Sequence, residues 1–131
     1  MNPTRWNQTA RAVTLLAGLM DTLTGLGLLI APALTLRAML APMPGSEALI
    51  YVRFIGAFVF AVGAVYLLAW RRGEAGTFKS VFQFMIPVVA TIGLFTGGAV
   101  LAGGLSPAWL SVTFTDLLLA GLQVWLLQRA P

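Results

Sequence analysis

ALIYVRFIGAFVFAVGAVYLLAW, residues 48–70, is a run of 23 residues with a single charge, Arg53. A helix rising 1.5 Å per residue needs about 20 such residues to cross a hydrocarbon core roughly 30 Å thick. The run does not alternate with a period of two, and a barrel strand would span in about half its length. Lipid offers no water to satisfy backbone N–H and C=O groups, so a run of this length reads as a helix. Three more runs of the same kind accompany it, at 12–31, 81–103 and 108–127. The fold class they predict is all-α: an integral membrane four-helix bundle filling one domain, residues 1–131.

The segments between the runs read as connections. LAPMPGS (40–46) has two prolines and a glycine, RRGEAGT (71–77) is charged and glycine-containing, and GGLSP (103–107) ends in a proline suited to start a helix. The first connection also holds Leu34, Leu36, Met39, Leu40 and Met43. Two readings of it stand open: an amphipathic segment on the outer membrane surface, or a cap over the end of the bundle. The first run follows Arg5 and Arg11, exceeds a typical signal-peptide core and carries Asp21 at its centre, so it reads as a retained helix.

Composition agrees with a lipid environment. Hydrophobic residues make up 59% and charged residues 9%, and the mean hydropathy is +0.90. A soluble domain carries about a quarter charged residues. The net charge of +4 does not indicate nucleic acid, because the basic residues sit at the ends of apolar runs rather than in a patch. Arg5, Arg11, Arg71, Arg72, Lys79 and Arg129 fall on one side of the predicted bilayer, and Arg37 alone lies in a connection on the other. That bias predicts both termini inside and a multi-pass protein of the cytoplasmic (inner) membrane. Trp6, Trp70 and Trp125 are then expected at the inner interface and Trp109 at the outer one.

The chain has no Cys and no His. Thiol redox chemistry, thiolate metal sites and the usual haem and zinc ligands are thereby excluded, and no catalytic constellation, metal site or cofactor motif is visible.

Three ionisable residues lie inside the runs: Asp21, Arg53 and Asp116. Charge facing lipid is costly, so all three are expected to face the bundle interior. Spacing supports a polar seam on each helix. The faces are Thr14, Gly18, Asp21 and Gly25; Arg53, Gly56, Phe60 and Gly63; Gln83, Pro87, Thr91 and Gly98; and Trp109, Thr113, Asp116, Ala120 and Gln123. Counting along the helices puts Arg53 about 7 Å, Asp116 about 12 Å and Asp21 about 15 Å below the outer end. An Arg side chain reaches roughly 6–7 Å, so an intramembrane Arg53–Asp116 ion pair, with Asp21 nearby, is the expectation. Such a cluster either locks the helices in register, holds a proton or ligand, or meets a partner subunit. Tyr66 and Gln123 face inward and either extend the polar path or bond to neighbouring backbone. Pro87 is expected to kink the third span. Gly93 and Gly97 form a small-xxx-small spacing suited to close packing, within the bundle or in a homodimer.

LLAGLMDTLTGLGLLIAP (15–32) followed by YVRFIGAFVFAVGAVYLLAWRR (51–72) resembles the DoxX-like superfamily of small four-helix bacterial membrane proteins. The shared features are a glycine-rich first helix ending in Pro, an Arg-x-x-Gly near the start of the second, and an Asp in the last. The resemblance implies a membrane subunit of a quinone- or redox-linked complex, with Arg53 and Asp116 as the positions to watch. Without Cys, any quinone chemistry would need redox groups supplied by a partner.

Two functions of different kinds follow. One is an accessory or scaffold subunit of a membrane complex, which needs larger partner subunits but no site of its own. The other is a small binding or transport protein, expected as a homo-oligomer. It would hold a proton, an anion, a quinone or a lipid at Asp21, Arg53 and Asp116, with Thr113, Gln123 and Tyr66 beside them.

Overall fold

The computed structural model describes residues 1–131. Helix α1 spans Pro3–Ile30, the short α2 Pro32–Ala38, α3 Ser46–Arg72, α4 Ala75–Leu101 and α5 Leu110–Gln128, the last preceded by a 3-10 turn at Pro107–Trp109. There are no strands. Four of these helices are long and apolar enough to cross a membrane.

The long helices overrun the expected spans mainly at one end. α1 begins nine residues before the apolar run, where the Asn2 side chain accepts from the Thr4 amide at 2.9 Å and Pro3 occupies the first helical position. α4 begins at Ala75 rather than at residue 81, so the connection expected over 71–77 shrinks to Gly73 and Glu74. Gly73 takes φ +70°, the left-handed cap open to glycine, and its N–H returns to the Ala69 carbonyl at 3.1 Å. Burial explains the extension. Phe78 and Phe82, one turn apart in the early turns of α4, pack with Trp6, Ala10, Ala69 and Leu126 in a cluster that closes this end of the molecule.

Trp6 therefore does not face outward. It is fully buried, and its indole N–H donates to the Leu126 carbonyl of α5 at 2.8 Å. Around it the basic residues lie over aromatic rings: Arg11 over Trp70, Lys79 over Trp6 and Arg129 over Trp125.

The helices associate as two antiparallel pairs, α1 with α3 and α4 with α5, joined to each other by a thinner interface. Glycines set the first pair. A Cβ on Gly56 would lie 2.7 Å from the Leu29 backbone nitrogen and 2.8 Å from the Gly25 carbonyl oxygen; one on Gly18 would lie 2.8 Å from Leu67. Backbones this close leave no room for a methyl group. The second pair packs Gly93 against Leu117 and Gly97 against Thr113, so the small-xxx-small spacing is spent inside the bundle.

α2 turns the first connection into a cap. Pro32 ends α1, and Leu36 tucks into the bundle at 1% exposure, while Leu34, Leu40 and Met43 point outward. α4 runs unbroken through Pro87.

Candidate functional site

Between the two helix pairs lies a polar interior built from α1, α3 and α5. Gln123 and Tyr66 are both fully buried, and the Gln123 amide donates to the Tyr66 hydroxyl, tying α5 to α3. They bond to each other rather than to neighbouring backbone. The other end of the amide, Gln123 Oε1, is buried with no hydrogen-bond partner. Asp21 on α1 and Asp116 on α5 are half-buried. The Asp21 backbone lies against Gly63 of α3, and the Asp116 Cβ lies against Gly93 of α4. Thr22, next to Asp21 and against Gly63, has a buried hydroxyl that is likewise unpartnered.

Arg53 is not part of this interior. Its side chain is exposed, and the guanidinium donates to the Leu29 carbonyl at 3.2 Å. The structure contains no buried pair of opposite charges, so the expected Arg53–Asp116 ion pair is absent. The reason lies in the end of α1. Its last carbonyls have no helical donors, because the chain turns at Ala31 into Pro32. A guanidinium on the facing helix satisfies one of them and also opposes the negative end of the helix dipole. Arg53 reaches that carbonyl more readily than it reaches the interior.

Thr113 is buried on the inward face of α5. Its hydroxyl is 2.9 Å from that of Thr96, and the two join α5 to α4. Thr96 escaped the sequence reading, although it stands three residues after Gly93 on the face that packs against α5.

The seam expected on α4 is turned outward. Gln83, Pro87, Thr91 and Gly98 are exposed, and α4 buries Phe78, Phe82, Val89, Gly93 and Thr96 instead. On α3 the expected face is half right: Gly56 and Gly63 are buried, whereas Arg53 and Phe60 are exposed. On α1 and α5 the polar faces lie inward as the spacing indicates.

No protein-family model matches the chain, and neither the curated proteins nor the solved structures contain a match.

Proposed function

We propose that this is a multi-pass membrane protein, with both termini inside, that binds a proton or small cation between Asp21 and Asp116. One observation carries the reading. Asp21 and Asp116, one from each helix pair, are half-buried on the inward faces of α1 and α5, and neither has a buried basic partner. In a medium that solvates charge poorly, two carboxylates without a basic partner favour a proton or a small cation as counter-charge. With Arg53 elsewhere, no positive side chain is left there to hold an anion. An accessory role in a quinone-linked complex rests on the family resemblance alone.

The test is infrared titration of the protein in liposomes, with pH, Na+ and K+ varied separately. The expected result is a carboxyl band that responds to one of them and disappears in Asp21→Asn and Asp116→Asn, while both variants keep the native melting temperature. Asn keeps the size of the carboxyl group, so packing survives. An unchanged response in the double variant sinks the site. Carbonate-resistant pelleting of the chain with native membranes checks the membrane placement separately.

A further inference from the structure

Helices α3 and α4 are joined by only two residues, Gly73 and Glu74, yet each packs mainly against another helix, α3 on α1 and α4 on α5. A groove of about 200 Å³ is left between them at the basic end of the molecule. Val65, Leu68, Ala69 and Arg72 of α3 form one wall, and Thr77 and Val81 of α4 form the other. Ala69 is its buried floor, whereas Val65 and Leu68 are exposed, so the groove opens to the side of the bundle.

The groove is graded along the helix axis. Arg72 and Thr77 stand at its mouth, beside the turn, and only apolar side chains follow, back to Val65 on α3 and on to Val81 on α4. The helix from Arg72 back to Val65 makes that apolar length about 10 Å at 1.5 Å per residue.

Both polar groups at the mouth are idle. Arg11, Lys79 and Arg129 at this end each lie over an aromatic ring, and Arg53 at the other end holds a carbonyl. The Arg72 guanidinium has no ring, carbonyl or carboxylate of the chain, and it forms no ion pair with nearby Glu74. The Thr77 hydroxyl makes no hydrogen bond either, although those of Thr9 and Ser80 return to their own helices. Residues 71–79 carry three basic side chains against the single acid Glu74.

A second groove, of about 170 Å³ between α1 and α5, supplies the contrast. Thr115 is the one polar residue among those lining it, and none is charged. A lipid chain can lie in either groove, but only the first can select a headgroup.

We infer that the groove between α3 and α4 holds one phospholipid with an anionic headgroup, its phosphate at Arg72 and Thr77 and an acyl chain along Val65, Leu68 and Val81. Charge complementarity selects the occupant. A guanidinium holds phosphate through two parallel N–H donors, and the hydroxyl adds another. The surplus of basic residues at the mouth favours a headgroup of net negative charge over a zwitterion. The apolar length below accommodates an acyl chain, which a free phosphate lacks. The inference rests on the membrane placement proposed above and not on the acidic site.

The test is native mass spectrometry of the full chain, released from detergent micelles holding equal amounts of dioleoyl phosphatidylglycerol and dioleoyl phosphatidylcholine. One phosphatidylglycerol is expected to stay bound in preference to phosphatidylcholine. Arg72→Gln should lower that occupancy roughly fivefold, the scale of one basic residue near an anionic membrane surface, and Arg72→Lys should keep most of it. Arg71→Gln removes the same charge one residue away but outside the groove, so it should change occupancy by less than about twofold. Arg71 and Arg72 are both exposed, so the variants keep the fold, which an unchanged melting temperature in the same micelles checks. No preference between the two lipids, equal losses in Arg71→Gln and Arg72→Gln, or displacement of the bound lipid by millimolar inorganic phosphate overturns the proposal. These variants leave Asp21 and Asp116 untouched, so failure here and failure of the infrared titration are separate results.

Discussion

A buried amide is costly unless both its ends are used, and Gln123 uses one. Its N–H is held by Tyr66 from another helix, so each residue's stability depends on the other. Tyr66→Phe leaves the amide with neither partner and should destabilise by about 1–3 kcal/mol. Replacing both, as Tyr66→Phe with Gln123→Leu, removes the stranded group and should cost less than Tyr66→Phe alone. A double-mutant cycle in denaturant measures the coupling, and strictly additive losses would show that the bond contributes nothing. The positions of Tyr66, Gln123, Asp21 and Asp116 are legible in the sequence because each shares a face with small or polar residues on an otherwise apolar helix. The bond partners are not legible, because helical spacing gives a direction but not the rotation of the neighbouring helix. Arg53 shows the same limit. Depth along the helix suggested an acid as its partner, and the competing free carbonyl at the end of α1 is visible only once α1 and α3 are docked.

Among the elements, glycine separates contact faces from empty ones. Gly56 and Gly63 touch the backbone of α1, so neither can accept a methyl group unless the helices part. Gly56→Ala or Gly63→Ala should cost about 1–3 kcal/mol, the scale of an overpacked core. Gly121→Ala, on the open side of α5, should instead be neutral or gain up to about 1 kcal/mol, since alanine is the better helix former. Unfolding in mixed detergent micelles measures all three, and equal effects would mean that the α1–α3 contact is not as close as described. The existence and number of the long helices are legible because lipid-spanning length is a strong signal. The inward side of α4 is not, because that helix has two faces rich in small and polar residues. Gly93 and Gly97 mark one, Gln83, Pro87 and Thr91 mark the other, and hydrophobicity does not choose between them. The extended first turns of α1 and α4 were hidden for a related reason. Their polar residues read as connections, while Trp6, Phe78 and Phe82 made burial worth more than the cost of ordering them.

The molecule as a whole is built inside out. Only 23 of its 131 residues are buried, and many of its large hydrophobic side chains point outward. A surface of that kind needs an apolar solvent. Both termini and the Gly73–Glu74 turn lie at one end with Arg5, Arg11, Arg71, Arg72, Lys79 and Arg129, whereas Arg37 and Arg53 lie towards the other. In the proposed orientation this basic end faces the cytoplasm. A cysteine replacing exposed Ser46 should therefore react with an impermeant thiol reagent in intact cells, and one replacing exposed Glu74 should react only after lysis. The opposite pattern would invert the orientation.

The division into two helix pairs bears on how the chain is made. In each pair the two long helices follow one another along the sequence, with only α2 or the Pro107–Trp109 turn between them, so their contacts need no later long helix to have emerged. α1 and α3 can dock while α4 and α5 are still on the ribosome, since local contacts form early and domains assemble from the N-terminus during synthesis. The proposed acidic site draws Asp21 from the first pair and Asp116 from the second. A nascent or truncated chain lacking α5 therefore holds a docked helix pair with one lone carboxylate, and only arrival of the last helix supplies the second.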